Sequence, residues 1–224
     1  MRRLWPFGVV AAVELAGVAA DSPLLQWLAK PLLAPVLLVH LLRTRRRVDP
    51  VAVGLVFATG GDIALLVSGD TAFLVGMGCF LGTQVAFLTA FLRHRRPPVV
   101  AVAGYLACWA AANAVLWSSL GALRLPVLGY SLALSLMAAA AAGISRRVAV
   151  GGALFLVSDL LIGLEAAGTR LPGHGLAVMT TYIAALPLIT TGWVAVTAGR
   201  ARPAVPMRAD GAASGTIPLP ERAR

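Results

Sequence analysis

Apolar residues fill eight stretches of the chain, and each stretch is close to the length that a helix needs to cross a lipid bilayer. A transmembrane helix requires about 20 predominantly apolar residues. The links between the stretches are short, so the pattern predicts one all-α, polytopic transmembrane helical bundle with eight spans over residues 1–198. Residues 199–224 change to Arg, Pro, Ala, Gly and Ser, which predicts a disordered cytoplasmic tail. The predicted spans are 4–20, 24–42, 50–69, 71–92, 98–119, 124–143, 147–167 and 175–198.

Basic residues cluster at alternate ends of the predicted spans, and the opposite ends carry only Arg124 and Arg170. Because basic loops stay in the cytoplasm, the alternation predicts cytoplasmic N and C termini. Residues 1–20 also resemble a secretory signal peptide, whose removal would leave seven spans, but Glu14 inside the apolar run favours a retained first span. The clusters are Arg2 and Arg3; Arg43, Arg45, Arg46 and Arg47; Arg93, Arg95 and Arg96; Arg146 and Arg147; Arg200 and Arg202.

The composition favours a membrane protein over a nucleic-acid-binding protein. Hydrophobic residues make up 59% of the chain and charged residues 12%, whereas a soluble domain carries about 25% charged residues. The net charge of +10 comes from short clusters between apolar runs and not from a basic face with interleaved aromatics, so it reports topology. We therefore expect a multi-pass protein of the cell membrane, and the Arg- and Ala-rich composition favours a bacterial inner membrane.

Three ionisable residues interrupt the apolar spans: Lys30, Asp62 and Asp159. A charged side chain near the centre of a span costs about 2.5–3.5 kcal/mol, so such residues persist where they pair, face a wet cavity or carry function. Counted from the cytoplasmic ends of their spans, all three lie at a similar depth of ~18–22 Å, just beyond the midplane. The shared depth predicts a polar pocket, and the alternative is three unrelated groups that are satisfied separately. Other polar residues in the same layer are Glu14, Asn113, Tyr130 and Tyr182.

The two aspartates are candidates for acid–base chemistry. Gly61 precedes Asp62 and Ser158 precedes Asp159, and small residues let helices approach closely. Together with Lys30, two ionised aspartates would leave one buried negative charge in excess. We therefore expect one carboxyl to keep its proton, which gives an acid and a base in one site. The alternative is a structural ion pair between Lys30 and one aspartate.

The three histidines do not suggest a metal site. His40 and His94 lie near the cytoplasmic ends of predicted spans, whereas His174 lies in a predicted outer loop. They cannot meet at one ion, so a zinc hydrolase is disfavoured. The sequence predicts neither a metal nor a cofactor.

Cysteine and serine residues give no sign of nucleophilic catalysis. Cys79 and Cys108 fall within spans and are interpreted as small buried hydrophobic residues. The chain has no nucleophile-elbow motif. Ser131 and Ser135 lie one helical turn apart and are interpreted as helix-packing residues.

A short internal similarity links spans three and seven. The sequence FATGGD ends at Asp62, and FLVSD ends at Asp159. Both spans cross the membrane in the same direction in the predicted topology. An internal repeat of four plus four spans would explain the match, and chance explains it equally well.

Four motifs follow one another along the chain: Lys30-Pro31, Gly61-Asp62, the segment from Tyr130 to Met137, and GALFLVSD at 152–159. Their order resembles the YhhN-like lysoplasmalogenases over most of residues 24–192, and the last motif is the most specific. The resemblance implies an eight-span enzyme that cleaves the vinyl ether bond of lysoplasmalogens. It also implies that Asp62 and Asp159 are the essential acids.

The resemblance and the shared depth together nominate substrate-binding residues. Four positions depart from the usual pattern of the family: Gln84 replaces a His, Phe87 and Thr181 each replace a Tyr, and Ala185 replaces a Gln. The expected substrate-binding residues are Lys30, Tyr130, Ser158, Tyr182, Asn113 and Gln84.

The leading hypothesis is an intramembrane hydrolase in which the two aspartates act as acid and base on the vinyl ether of a lysolipid. Its partners would be the lysolipid, water and the surrounding membrane lipids, and no nucleic acid. One alternative is a proton-coupled membrane transporter, because buried Asp and Lys also serve proton relays. Another is a lipid-binding member of the family without activity.

Overall fold

The computed structural model describes residues 4–199, and over this range the chain is a helical bundle without strands. Each predicted span contains one helix, and the short connections hold the helices in one bundle. The predicted disordered tail begins at residue 199, but Gly199 is the last residue of α8. The remainder of the tail, which includes Arg200 and Arg202, lies outside the described residues, and so do Arg2 and Arg3. The helices are α1 (Trp5–Ala19), α2 (Pro23–Arg45), α3 (Pro50–Ala64), α4 (Asp70–His94), α5 (Val99–Leu116), α6 (Arg124–Ala142), α7 (Arg146–Ala166) and α8 (His174–Gly199).

Six of the helices, α2 and α4 to α8, are long and apolar enough to cross a membrane. The prediction of an all-α transmembrane bundle is therefore confirmed. Helices α1 and α3 have 15 residues each, or about 22 Å, which is less than a hydrocarbon core of about 30 Å. The count of eight spans and the orientation of the termini stay predictions. Helix α3 ends before its predicted limit because Gly69, with a φ of 114°, already turns the chain into α4.

Local sequence fixes the helix starts at the end of the bundle that the charge pattern predicts to be cytoplasmic. Asp49 caps α3 by accepting a hydrogen bond from the Ala52 amide at 3.1 Å, and Ser145 caps α7 in the same way. The second carboxylate oxygen of Asp49 accepts a hydrogen bond of 2.8 Å from Trp193 Nε1. This bond links the start of α3 to α8, so the capping residue also connects two helices that are distant in the sequence.

The helices pack in the same order in the two halves of the chain, α1–α4 and α5–α8. Within each half, consecutive helices pack against each other, and the contact between the third and fourth helices is the most extensive. The second helix of each half also packs against the fourth helix of the other half, so that α2 meets α8 and α6 meets α4. The packing follows the four-plus-four repeat that the sequence left open.

Matched glycines bring the third and fourth helices of each half close together. Gly54 and Gly151 each lie eight residues before the aspartate of their helix. A Cβ at Gly54 would lie 2.4 Å from the Phe87 ring on α4, and a Cβ at Gly151 would lie 2.9 Å from the backbone nitrogen of Ile189 on α8. Only glycine permits these approaches, which position Asp62 beside α4 and Asp159 beside α8.

Candidate functional site

Asp159 on α7 is buried, and two donors from other helices hold one of its oxygens. Tyr130 on α6 donates a hydrogen bond of 2.5 Å to Oδ2, and Gln84 Nε2 on α4 donates one of 3.1 Å to the same atom. Because both donors bind Oδ2, Oδ1 is the oxygen that is left for a ligand. The partners of Asp159 therefore fix the carboxyl in place and leave it one acceptor.

Asp62 on α3 is only 1% exposed and has a different set of neighbours. Tyr182 on α8 donates a hydrogen bond of 2.8 Å to its Oδ2, and Oδ1 has no hydrogen-bond partner among residues 4–199. The charges of Lys30, Glu14 and Asp159 all lie within electrostatic range of this carboxyl. Asp159 therefore lies within electrostatic range of Asp62, and the grouping of both aspartates in one polar site stays a prediction.

Glu14 on α1 adds a third buried carboxyl to this cluster. Its side chain is fully buried, and neither of its oxygens has a hydrogen-bond partner within the described chain. Lys30, the only lysine of the protein, lies within electrostatic range of both Glu14 and Asp62. No carboxylate of residues 4–199 comes within 4.0 Å of its ammonium group. The structural ion pair that was the alternative interpretation of Lys30 is therefore not formed.

Glu14 also changes the charge of the site. Two aspartates, one glutamate and one lysine would leave two negative charges in excess if all were ionised, whereas the sequence analysis counted only one. A buried excess of this size is unfavourable unless protons are held within the cluster. The sequence places Glu14 at the same membrane depth as Asp62 and Asp159 but does not identify it as part of the site.

A cavity of about 140 Å³ lies between α4, α5, α6 and α7, and Asp159 is part of its wall. Tyr130, Asn113 and Ser131 also line it, and most of the remaining wall is apolar. Two lining residues, Cys108 on α5 and Leu160 on α7, are exposed. The cavity therefore reaches the surface of the bundle.

Asp62 does not line this cavity. Phe80 on α4 is part of the cavity wall and packs edge-on against Tyr182, with ring centroids 5.8 Å apart. The same ring packs against Phe155, at 6.1 Å, and against Gly61, where a Cβ would come within 2.7 Å. Phe80 thus stands between the cavity and the Tyr182–Asp62 pair, a role that the sequence gave no means to predict.

The expected substrate-binding residues fall into separate groups. Tyr130, Gln84 and Asn113 surround Asp159 or its cavity, and Lys30 and Tyr182 surround Asp62. Ser158 belongs to neither group, because its hydroxyl donates a hydrogen bond of 3.0 Å to the Val178 carbonyl on α8. That bond links two helices and occupies the hydroxyl proton.

Two sequence interpretations need correction. Cys108 is exposed on α5 and Cys79 is half-buried on α4, so neither is a buried hydrophobic residue. The error arose because a lipid-facing surface is as apolar as a protein interior, so hydropathy does not separate them. Ser131 does more than pack helices, since its hydroxyl binds both Trp109 and Asn113 at the cavity.

The described residues include no group of three His, Cys, Asp or Glu side chains that is arranged to hold a metal ion. His40 and His94 lie toward the predicted cytoplasmic ends of α2 and α4, and His174 begins α8 at the other end of the bundle. His174 is buried and pairs with Glu165 at 3.1 Å. The cavity wall carries a carboxyl, a phenol and an amide, together with the hydroxyls of Ser131 and Ser135 and the thiol of Cys108.

One of the comparisons with known proteins gives a match. A family model described as the YhhN family matches residues 25–193, which include α3 to α7 and most of α2 and α8. Helix α1 and Glu14 lie outside the matched range. Neither the curated proteins nor the solved structures gave a match to this chain.

Proposed function

The chain belongs to the YhhN family, and on that premise we propose that it is an intramembrane hydrolase that cleaves the vinyl ether bond of lysoplasmalogen-type lysolipids. The observation that carries the proposal is Asp159, a buried carboxyl fixed through Oδ2 at the wall of a mostly apolar cavity. An apolar cavity suits the alkenyl chain of such a lipid, and the opening toward the membrane suits its entry. The site would then lie in the cell membrane.

The reaction needs an acid that later acts as a base. A vinyl ether is activated when a proton is added to its β-carbon, which gives an oxocarbenium ion. Water adds to this cation and loses a proton, and the resulting hemiacetal collapses to a fatty aldehyde and a glycerophospho-alcohol. In glycoside hydrolysis, carboxyl groups transfer the protons and stabilise a similar oxocarbenium-like transition state.

We assign the proton transfers to Asp159 because it is the aspartate that lines the cavity. In its protonated form it would donate to the β-carbon. As the carboxylate it would then stabilise the cation and take the proton from the attacking water, so that the enzyme returns to its starting state. Tyr130 and Gln84 would orient the carboxyl throughout.

Asp62 takes a less direct part in this mechanism. It lies within electrostatic range of Asp159 but behind Phe80, together with Lys30 and Glu14. Its cluster would control how many protons the buried carboxyls share. This division of roles differs from the sequence-based hypothesis, in which one aspartate is the acid and the other is the base.

A proton-coupled transporter is the second candidate, and the repeated packing of the two halves favours it. Many transporters are built from structural repeats with the binding site near the bilayer midplane. Paired buried carboxyls would serve proton coupling in such a protein. A carrier would move its substrate without breaking a bond, so product analysis separates the two candidates.

The decisive experiment supplies purified protein in lipid vesicles with a lysoplasmalogen and measures fatty aldehyde. We expect aldehyde from the vinyl ether and none from the matched saturated alkyl-ether lysolipid, with Asp159→Asn as the inactive control. In heavy water the aldehyde should gain one deuterium next to the carbonyl, after exchange of free aldehyde is subtracted. Proton-coupled uptake without aldehyde would identify a carrier, and lipid binding without either would identify an inactive member.

A further inference from the structure

Asn113 is the one buried residue of α5. The helix packs principally against α6 and otherwise faces outward, so its remaining residues are at least partly exposed. Asn113 is 8% exposed and lines the cavity that Asp159 also lines. A polar amide at the only buried position of a lipid-facing helix needs a reason.

The hydrogen bonds around Asn113 fix the orientation of its amide. Its Nδ2 donates to the Trp109 carbonyl at 2.9 Å and to Ser131 Oγ at 3.1 Å. Both N–H groups are therefore used. A rotated amide would point its own oxygen at the Trp109 carbonyl, so the assignment of nitrogen and oxygen follows from the partners.

Ser131, which accepts a hydrogen bond from Asn113, has no free donor or lone pair left. Ser131 Oγ donates to the Leu128 carbonyl at 3.3 Å, and it accepts from Trp109 Nε1 at 3.1 Å as well as from Asn113. Its single donor and its two lone pairs are all occupied. Every polar atom of this cluster is satisfied from within, with one exception.

The exception is Oδ1 of Asn113, a buried carbonyl oxygen without a hydrogen-bond partner among residues 4–199. A buried polar atom normally finds a partner, and an unfilled one at a cavity wall marks the place for a ligand atom. Because the free atom accepts and cannot donate, the ligand atom must carry a proton. The cavity therefore selects a donor at this point.

We propose that Asn113 binds the free glycerol hydroxyl of a lysolipid and so selects lysolipids over lipids in which that hydroxyl is acylated. The inference rests on the proposed function for the identity of the lipid. The vinyl ether, an ester and a phosphodiester offer acceptor oxygens only. The free hydroxyl on the carbon beside the vinyl ether carbon is the uncharged donor of a lysoplasmalogen, and Asn113 and Asp159 line the same cavity.

Acylation of that hydroxyl would remove the donor and place an ester oxygen against Oδ1. Two acceptors would then face each other in a buried site. Rejection of a substrate that leaves a buried polar group unpaired is a strong source of specificity. Trp109 and Ser131 are positioning residues for this selection, because they act by holding Asn113.

The test measures binding of choline lysolipids, whose headgroup carries no N–H donor. Saturated alkyl-ether lysolipid and its analogue without the glycerol hydroxyl are compared by equilibrium binding to the full chain in nanodiscs. We expect the native protein to bind the hydroxyl form at least about tenfold more tightly. Asn113→Leu, which keeps the size and removes the acceptor, should bring the ratio close to one.

Thr89→Val is the control, because Thr89 on α4 does not line the cavity and its hydroxyl donates to the Val85 carbonyl of its own helix. It should keep the tenfold preference. Equal binding of the two lipids by the native protein would overturn the proposal, and so would an unchanged preference in Asn113→Leu. If that variant does not fold, the native comparison alone decides.

Turnover separates this inference from the proposed function, because the binding assay uses ethers that the reaction does not cleave. A hydroxyl preference that depends on Asn113, without aldehyde from lysoplasmalogen, would retain the lipid site and reject the hydrolase. Aldehyde release without a hydroxyl preference would retain the hydrolase and reject the role of Asn113. In an active protein, Asn113→Leu should narrow the difference in kcat/KM between lysoplasmalogen and its deoxy analogue to the same extent as the difference in affinity.

Discussion

The half of the molecule formed by α1–α4 holds Asp62 where the half formed by α5–α8 holds Asp159. Each aspartate lies on the third helix of its half, and its Oδ2 accepts a hydrogen bond from the fourth helix of the other half, from Tyr182 in one case and Gln84 in the other. The second helix of each half brings a further polar group, Lys30 or Tyr130, to its own aspartate. The first helices bring Glu14 and Asn113 to their respective clusters.

The difference between the halves lies in the first helix. Helix α1 packs against both α2 and α8, whereas α5 packs principally against α6 and leaves a cavity beside α4 and α7. The first half is therefore closed and carries the buried charges, and the second half is open and carries neutral polar groups around its aspartate. One arrangement of helices thus yields a sealed cluster and an accessible one.

Asp159→Asn should give the largest effect, because this aspartate belongs to the open half. We expect turnover of lysoplasmalogen to fall by at least about a hundredfold, and by as much as 10⁴-fold, which is the range for a proton-transfer group. The amide keeps the shape, so the variant should elute as folded protein and keep its affinity for an alkyl-ether lysolipid. An active Asp159→Asn variant would contradict the proton-transfer role.

Asp62→Asn should be less severe if the two halves differ as described. We expect kcat to fall by roughly ten- to a hundredfold with KM unchanged, since Asp62 affects the proton count but does not line the cavity. The measurement is a full rate curve beside that of Asp159→Asn. A larger loss than in Asp159→Asn, or a rise in KM, would reverse the roles of the two halves.

Glu14 and Lys30 should show coupled effects on stability. Each single change, Glu14→Gln or Lys30→Met, alters the charge balance of the closed half, and the double change restores its net charge. A double-mutant cycle by thermal unfolding in detergent should give a coupling energy of about 0.5–3 kcal/mol. Additive effects would mean that the two side chains do not sense each other, and that α1 only fills space beside α8.

Ser158→Ala should give the smallest effect. The change removes one hydrogen bond between α7 and α8, which is worth about 0.6 kcal/mol in membrane helices. We expect a slight loss of thermal stability and normal kcat/KM, because Ser158 does not line the cavity. A tenfold loss of kcat/KM in folded protein would restore Ser158 to the substrate site that the sequence predicted.

The helices and the buried acids could be predicted from sequence because the bilayer imposes length and penalises charge. The end of α3 could not, since Leu65, Leu66 and Val67 continue the apolar run beyond Ala64. Here the turn at Gly69 decides the boundary, and hydropathy is insensitive to it.

The partners of the acids were beyond the reach of sequence for a different reason. Asp62 and Tyr182 are 120 residues apart, and Gln84 and Asp159 are 75 apart. Shared depth showed that these residues lie in one layer, but depth does not say which helices are neighbours. For the same reason the sequence could not show that Asp159 lines a cavity and Asp62 does not.

The opening of the cavity between exposed Cys108 and Leu160 has a consequence for how occupancy is counted. In the proposed function, a lipid that reaches Asp159 would arrive by lateral diffusion within the membrane, so its effective concentration would be its mole fraction among the surrounding lipids and not its molarity in the sample. Dilution with buffer would leave that fraction unchanged. Dilution with inert phospholipid would lower it: the occupancy of the cavity would stay near full while the lipid saturates the protein, and would then fall in proportion to the mole fraction.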